Sequence, residues 1–176
     1  MASEKGRGRR WIRLGRTILI YAALLLVVAT AMSAWQLRDA PSGTAPVIQG
    51  PGLDGTAIDL AAYRGEPVLI YFWATWCAIC KLEAPTINAI ARDHNVLTVA
   101  SWSGAAEEVA EHVEATDFGA PVLVDESGQW AERYGVRAVP ALFVVDGAGE
   151  LRFATSGYTP GLGLRLRLWW AGMAGG

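Results

Sequence analysis

The sequence predicts an α/β domain whose central mixed β-sheet is flanked by helices, with one transmembrane helix before it. Two observations support this fold class. An uncharged apolar run occupies residues 17–35. In the rest of the chain, short runs rich in β-branched and aromatic residues alternate with segments of helical periodicity. This alternation predicts parallel strand pairs, and the last two strand-like runs, joined by a short turn, add an antiparallel hairpin.

The apolar run is the first predicted element. As a helix, its 19 residues span roughly 28 Å, about the thickness of the hydrocarbon core of a bilayer. The basic residues that precede it are Lys5, Arg7, Arg9, Arg10, Arg13 and Arg16. Because the cytoplasmic flanks of membrane spans are rich in Lys and Arg, we expect 1–16 to be a cytoplasmic basic segment and 17–35 a transmembrane anchor. The predicted topology is a single span with the N-terminus in the cytoplasm and residue 36 onward on the other side of the membrane.

A cleaved signal peptide is the alternative interpretation of the same run. Residues 29–31, Ala-Thr-Ala, fit the small-x-small pattern of cleavage sites. The run is longer than the usual apolar core of a signal peptide, and this length favours an uncleaved anchor. Under either interpretation the rest of the chain leaves the cytoplasm for a compartment where disulfides form and persist.

The chain beyond the anchor divides into a linker and one domain. Residues 36–46 are rich in Pro, Gly and charged residues, which is typical of a linker. Residues 47–176 are enough for one compact domain. Nine basic and sixteen acidic residues follow residue 16. Such an acidic body argues against nucleic acid as a partner, since phosphate binding needs a basic face.

The elements of the domain follow from apolar periodicity and turn residues. In chain order they are two short strands around a turn at 50–55, a strand at 67–74, a helix at 78–94, a strand at 96–100, a helix at 105–116, a strand at 121–125, a short helix at 129–134 and a hairpin of strands at 141–146 and 150–156. The strand at 67–74, PVLIYFWA, is the clearest because it is apolar throughout. Pro85 is expected to kink its helix without ending it.

The last element has two interpretations. Residues 162–168, LGLRLRL, alternate as in a strand. With Trp169 and Trp170 they also fit an amphipathic helix that packs on the sheet, which we prefer because apolar residues at helical spacing are usually core. Contact between the two tryptophans and a membrane surface is the alternative.

The only two cysteines of the chain, Cys77 and Cys80, lie in the stretch WATWCAIC at 73–80. A disulfide between them would close too short a loop to stabilise the fold appreciably. A zinc site needs more ligands, and the only histidines, His94 and His112, are spaced too widely to supply a ligand pair. The two thiols therefore either form and break a disulfide in a redox reaction or bind a soft ion such as Cu(I).

The predicted elements place this pair between a buried strand and the start of a helix. Cys77 would lie in the first turn, where unpaired amide groups and the helix dipole favour a thiolate. A thiolate can attack a substrate disulfide, and Cys80, one turn further on, can then displace the substrate. Trp76 would cover the site with a flat apolar surface, or it would simply pack the domain.

Two segments of the chain resemble a known family. VLIYFWATWCAIC at 68–80, followed by GVRAVPALFVVD at 135–146, resembles the thioredoxin superfamily. Within it the chain is similar to the membrane-anchored TlpA/ResA-like periplasmic branch. The tail GLRLRLWW at 163–170 is shared with the suppressor-of-copper-sensitivity D type of that branch. The resemblance covers about 47–170 and implies a thioredoxin-like fold and a thiol-disulfide oxidoreductase without a cofactor or metal.

The resemblance also implies roles for single residues. Cys77 matches the nucleophile and Cys80 the resolving cysteine. Pro140 matches a cis-proline opposite the dithiol, where the backbone of Val139 would pair with a substrate chain as an added strand. Glu83 matches an acidic position of the family and is a candidate for proton transfer. The alternative for Glu83 is a carboxylate in the first turn of the helix, stabilised by the helix N-terminus.

Two departures from the family pattern bear on the chemistry. Thioredoxin has a buried acid six positions before the first cysteine, where this chain has Tyr71. Proton transfer would then need water, Glu83 or another group. The dipeptide Ala78-Ile79 lacks the proline, histidine or acid of related enzymes, and this leaves oxidant, reductant and isomerase open, with reductant or isomerase preferred.

The partners implied by the resemblance are exported proteins with cysteines or disulfides and a membrane electron-donor protein, with a link to copper or oxidative stress. A Cu(I) carrier that uses Cys77 and Cys80 as thiolate ligands is the alternative function. A carrier has no use for Val139 and Pro140, and it usually supplies a Met or His near the ion. The nearest methionine in the sequence is Met32, inside the apolar run.

Overall fold

The structure is a computed structural model that describes residues 4–116 and 118–175, without the side chains of residues 4–14 and 34. It contains two compact units that meet between Trp35 and Gln36. Residues 1–3 of the predicted basic segment and residue 176 of the predicted domain lie outside the described residues, as do the side chains of most of the basic cluster.

The first unit is the helix α1 (Glu4–Gln36) as far as Trp35. Within it, Gly15–Ser33 is 19 residues long and apolar enough to cross a membrane, and none of that window is buried by protein. The predicted span at 17–35 overlaps this segment. By length and composition alone, such a helix fits a membrane anchor and a signal sequence equally well.

The second unit carries the remaining elements. They are β1 (Gly43–Thr44), β2 (Gln49–Pro51), β3 (Ala57–Asp59), a 3-10 helix (Leu60–Tyr63), β4 (Val68–Trp73), α2 (Ala78–Ala91), β5 (Asn95–Ser101), α3 (Ala106–Thr116), β6 (Val122–Asp125), α4 (Gln129–Arg133), β7 (Ala141–Val145), β8 (Glu150–Ser156) and α5 (Gly161–Ala174). Among the described residues, six strands form one sheet in the order β1-β8-β7-β4-β5-β6, and β2 and β3 form a separate hairpin.

The main sheet is mixed. β4, β5 and β6 are parallel to one another, whereas β7 pairs antiparallel with both β4 and β8. Helix α2 connects β4 to its parallel neighbour β5, and α3 connects β5 to the next parallel strand, β6. Because such connections are right-handed and both step in the same direction along the sheet, the two helices lie on one face of it. These findings confirm the predicted α/β class with a mixed central sheet flanked by helices.

Strand β4 is the centre of the core, and all six of its residues are buried. Since side chains alternate along a strand, Leu69, Tyr71 and Trp73 point to one face and pack in a cluster with α2, α3 and α5. The other residues of β4 pack on the opposite face with α4 and the small hairpin. Each large apolar side chain buried in this way stabilises the fold by roughly 2 kcal/mol. The alternation places Tyr71 and Trp73 on the same face as the helix that carries the cysteines.

Helix α2 continues through Pro85 to Ala91, as predicted. A proline in a helix removes one backbone hydrogen bond, here the bond to the carbonyl of Lys81. The apolar residues Ile87 and Ile90, both buried, lie beyond the proline and hold the second half of the helix against the sheet. Tertiary packing thus outweighs the missing hydrogen bond.

Residues 36–46 differ from the expected linker, since several of them contact the domain. The hydroxyl of Ser156 donates to Gln36 Oε1 at 2.5 Å, and Arg137 Nε donates to Asp39 Oδ2 at 2.7 Å. β1 then pairs with the edge strand β8. Pro and Gly predict irregular backbone, but they do not determine whether that backbone packs on a neighbouring strand.

The last element, α5, is a helix, as preferred over a strand. Its residues Leu164, Leu168 and Ala171 are fully buried against the sheet. The expectation that Trp169 and Trp170 belong to the core was wrong, because their exposed fractions are 62% and 45%. One residue advances a helix by about 100°, and Trp169 is therefore turned away from the face that Leu168 presents to the sheet.

Candidate active site

Cys77 and Cys80 lie where β4 ends and α2 begins. They are joined by a disulfide, and their Cα atoms are 5.2 Å apart. Cys77 is the N-cap residue of α2, with an extended backbone, and the amide of Cys80 donates to Cys77 Sγ at 3.1 Å. This is the predicted position at the start of a helix. In the reduced state, that amide and the positive end of the helix dipole favour a thiolate at Cys77.

The loop that ends at Pro140 lies directly beside Cys77. The Val139–Pro140 peptide bond is cis, as the resemblance implied. Cys77 Sγ is 3.7 Å from the carbonyl oxygen of Val139. The sheet explains this approach, since β7 follows Pro140 immediately and pairs Ala141 with Phe72 near the end of β4. Two segments that are 62 residues apart in the chain therefore meet at the sulfur.

Trp76 precedes Cys77 and extends from the surface, with an exposed fraction of 63%. Its indole Nε1 donates to the carbonyl oxygen of Trp102 at 2.9 Å. The amide of Thr75 donates to the hydroxyl of Ser103 at 3.1 Å. The loop after β5 thus fixes the segment that leads into the cysteines. Sequence reasoning missed Trp102 and Ser103, because tertiary structure sets the position of this loop and no local motif marks it.

Glu83 is fully buried on the same helix. It follows Cys80 by three residues, a spacing that places both side chains on one side of α2. Its Oε1 accepts from the amide of Thr159 at 2.8 Å, and its Oε2 has no hydrogen-bond partner among the described residues. The interpretation of Glu83 as a first-turn carboxylate was wrong. α2 begins at Ala78, and Glu83 lies in the second turn with a partner from the loop before α5.

Burial raises the pKa of Glu83 from 4.5 to about 7, although the Thr159 amide acts in the opposite direction. Tyr71, on β4, is buried too, and its hydroxyl has no hydrogen-bond partner among the described residues. Burial first, and the negative charge of Glu83 second, raise the pKa of Tyr71. The hydroxyl is close enough to Glu83 to lower the pKa of the carboxyl slightly, although the two groups do not form a hydrogen bond of normal geometry.

A cavity of about 230 Å³ adjoins Cys80. Tyr71, Trp73, Lys81 and His112 contribute to its lining. The ring of His112 packs 5.5 Å from that of Trp73, and burial, followed by the charge of Lys81, lowers the pKa of His112. The volume is sufficient for several water molecules. Cys80 therefore packs in the core on one side and borders a cavity on another.

The described residues contain no group of three or more His, Cys, Asp or Glu side chains that could hold a metal ion. The sulfurs of Cys77 and Cys80 are the atoms that the Cu(I) alternative would use as ligands. In the oxidised form described here, both sulfurs are engaged in the disulfide.

Comparison with known proteins places the chain in a family. Residues 41–154 match the family model described as AhpC/TSA family. The chain belongs to the AhpC/TSA family. This AhpC/TSA protein is 31% identical over 121 residues to a thioredoxin-like protein of Haemophilus influenzae, which covers 68% of the chain and 72% of that protein. It is also 31% identical over 151 residues to the thiol:disulfide interchange protein DsbE of Xylella fastidiosa, with 80% and 74% covered. The thiol-disulfide oxidoreductase ResA of Geobacillus thermodenitrificans is 29% identical over 144 residues, with 80% and 83% covered.

Solved structures agree with this assignment. The exposed lipoprotein thioredoxin Etrx1 of Streptococcus pneumoniae superposes on the AhpC/TSA protein with a TM-score of 0.67 and 30% identity, covering 71% of this chain and 99% of that one. The structure of DsbF of Mycobacterium tuberculosis, in mixed oxidised and reduced forms, gives a TM-score of 0.64 and 26% identity, covering 70% and 94%. The predicted thioredoxin-like fold is confirmed, as is the similarity to ResA-type proteins. The chain carries the cysteine pair that thiol-disulfide exchange requires.

Proposed function

We propose that this chain is a membrane-anchored periplasmic thiol-disulfide oxidoreductase that acts on exported proteins through Cys77 and Cys80. Thiol-disulfide oxidoreductase activity agrees with the names of its relatives, which include DsbE and ResA. One observation carries the proposal. Cys77 Sγ accepts a hydrogen bond from the Cys80 amide at a helix N-terminus. It also lies beside the carbonyl of Val139, which precedes a cis-proline. This arrangement combines a sulfur at a helix N-terminus with backbone groups that can hold a substrate chain.

In the reductive direction, the reaction has two displacements. The Cys77 thiolate attacks one sulfur of a client disulfide, the client S–S bond breaks, and a mixed disulfide forms. Cys80 then attacks Cys77 Sγ, which releases the client as a dithiol and leaves the Cys77–Cys80 disulfide. Two electrons pass to the client. A membrane electron-donor protein restores the dithiol by the same exchange, and the oxidative direction is the reverse sequence.

The client would lie along the loop at Val139. The backbone of Val139 pairs with an extended client segment as an added strand, and this brings the client disulfide to Cys77 Sγ. Trp76 provides an exposed apolar surface next to it, and Ile79 in the first turn of α2 is exposed as well. Apolar contacts of this kind suit unfolded exported proteins, whose cysteines are flanked by side chains that are not yet buried.

Glu83 would exchange the proton of Cys80. The resolving thiol must lose its proton before it attacks, and a carboxyl with a pKa of about 7 is close to half ionised at neutral pH. Cys80 and Glu83 lie on one side of α2, both buried, and Tyr71 occupies the position that holds an acid in thioredoxin. Glu83 takes the proton as Cys80 attacks and returns it to the medium or to the leaving client thiolate.

The anchor and the cellular setting belong to the same proposal. α1 contains a segment that fits a membrane span, and the basic residues before it favour an N-terminus in the cytoplasm. The tail at 163–170 supports assignment to the suppressor-of-copper-sensitivity D type. With that assignment, the clients include proteins whose cysteines are damaged under copper or oxidative stress.

Trapping of mixed disulfides tests the order of attack. In the full chain expressed in a bacterial inner membrane, Cys80→Ala should accumulate mixed disulfides with periplasmic proteins, because nothing resolves them. Cys77→Ala should accumulate none and serves as the matched control. Equal trapping by the two variants would contradict the assigned roles. Tight Cu(I) binding by the reduced chain, together with no acceleration of any thiol-disulfide exchange, would favour the carrier instead.

A further inference from the structure

A stripe of exposed apolar side chains runs along the outer side of α5. Its members are Leu162, Leu166, Trp169, Trp170 and Met173, with exposed fractions of 72%, 56%, 62%, 45% and 57%. Their spacing of three, four and seven residues gathers them within about 100° of the helix circumference. We refer to these five side chains as the α5 stripe. The opposite side of the same helix is the one that packs on the sheet, so α5 is apolar on two sides although the core covers one.

The composition of α5 resembles that of helices that lie in a membrane interface. The helix contains two tryptophans, several leucines and no acidic residue. Arg165 and Arg167 flank the α5 stripe on its two sides, Arg165 paired with Asp93 at 2.9 Å and Arg167 bonded to the hydroxyl of Thr155 at 2.5 Å. Trp and Arg are favoured at the level of lipid headgroups, where Leu and Met side chains reach the acyl chains. Large apolar side chains that are exposed together on one side of a helix mark an interaction surface.

The path of the chain favours the bilayer as the surface that covers the stripe. The apolar segment of α1 ends at Ser33, and the side chain of Gln36 is already bonded to Ser156 in β8. Gln36 follows Ser33 by three residues, which span at most about 10 Å, so only a short tether joins the apolar segment to the residue that is bonded to β8. α5 packs on the same strand, since the ring of Trp170 is 5.3 Å from that of Phe153.

We propose that the α5 stripe rests on the periplasmic surface of the membrane in which α1 is anchored. The inference depends on the proposed membrane anchor. Since the body of the chain carries more acidic than basic residues, burial of apolar side chains provides the attraction, and anionic lipids are not required. The docked helix also orients the site. Thr159, just before α5, donates its amide to Glu83 on α2, the helix that carries the cysteines. A docked α5 therefore holds the dithiol beside the membrane surface.

Spin labelling of the full chain in phosphatidylcholine vesicles tests this proposal. In the oxidised protein both native cysteines are in the disulfide, so Leu166→Cys provides a single labelling site. The matched control is Glu132→Cys, an exposed position on α4, across the sheet from α5. We expect the ratio of collision rates with lipid-soluble oxygen and with a water-soluble nickel complex to be at least about threefold higher at 166 than at 132. Adding Trp169→Glu, which changes an exposed side chain, should bring the ratio at 166 down to that of the control.

Other outcomes overturn the inference in distinguishable ways. A label at 166 that is as accessible to the nickel complex as the control, in protein that resists alkaline extraction, overturns the docking of α5 and leaves the anchor intact. Protein that alkaline treatment releases from the vesicles overturns the anchor and the docking together. Dipolar broadening at 166 that disappears on dilution with unlabelled protein shows that a second copy covers the stripe, and it also overturns the proposal.

Discussion

The two sides of the disulfide differ in their polar neighbours, which are backbone groups on one side and ionisable side chains on the other. On the outer side, Cys77 is contacted by backbone groups, the Cys80 amide and the Val139 carbonyl, with the exposed Trp76 next to it. On the inner side, Cys80 is accompanied by buried ionisable side chains, Tyr71 and Glu83. Backbone groups do not titrate, whereas a buried carboxyl with a raised pKa does. We therefore expect the outer side to govern which clients bind, and the inner side to govern how the rate of the reaction depends on pH.

The largest expected change in the rate of exchange comes from a substitution on the inner side, at Glu83. Glu83→Gln retains an oxygen that can accept from the Thr159 amide but loses the group that exchanges a proton. We expect client disulfide exchange at pH 7 to slow by roughly tenfold to a hundredfold, and the rate to lose its pH dependence near 7. Rapid-mixing measurements of exchange from pH 5 to 9 would check this. A pH profile identical to that of the unmodified chain would remove Glu83 from the mechanism.

The same carboxyl should make stability depend on pH. Its pKa is raised from 4.5 to about 7 in the folded chain, and the folded state therefore holds the proton more tightly than the unfolded state. The stabilisation that this carboxyl contributes is fully present below about pH 4.5, is lost as the pH rises to about 7, and stays lost above that. The loss is at most about 3 kcal/mol. Denaturant unfolding of the oxidised chain in micelles measures it, with Glu83→Gln expected to abolish the fall and Glu132→Gln to preserve it.

Trp76 should have a smaller effect, confined to the outer side. Trp76→Ala removes an exposed apolar side chain next to the nucleophile, and we expect kcat/KM for an unfolded protein client to fall about threefold to tenfold. Exchange with a small dithiol and the free energy of unfolding should change little. Leu82→Ala, which also truncates an exposed side chain of α2, is the matched control. An equal loss with the small dithiol would indicate that Trp76 tunes Cys77 and does not bind the client.

Tyr71→Phe should change stability and the pH profile of exchange least, and the direction in which the midpoint of that profile moves is informative. The hydroxyl has no hydrogen-bond partner among the described residues, so its removal should change stability by no more than about 1 kcal/mol. Because the hydroxyl lowers the pKa of Glu83, the midpoint of the pH profile should rise in this variant. A midpoint that moves downward would mean that Tyr71 acts on Glu83 mainly through its bulk.

Much of the fold could be predicted because its signals are local. The strand at 67–74, the hairpin at 141–156 and the start of a helix at the cysteines follow from apolar periodicity and turn residues within a few positions. The cis bond at Pro140 was implied by the family resemblance and has no local signal of its own. These predictions agree with the structure because each element carries its own pattern.

The environment of Glu83 could not be predicted in this way. Its partner Thr159 is 76 residues further along the chain, and its burial depends on how α5 closes over α2. The sequence around Glu83 fits a solvated helix start equally well, which is why the first-turn interpretation was possible. Similarly, the helical period of α5 indicates an apolar side but does not reveal that two opposite sides are apolar.

Segments that precede β4 cover part of β8 and part of β6, the strands at the two sides of the main sheet. β1 pairs with β8 at one edge, and at the other the amide of Leu53 donates to the carbonyl oxygen of Val122 at 2.8 Å, next to a bridge between Gly52 and Leu123. Unfolded clients carry backbone that readily adds to any free strand and starts aggregation. If the proposed clients are unfolded proteins, these pairings leave fewer free edge positions at which a client strand could add and start to precipitate.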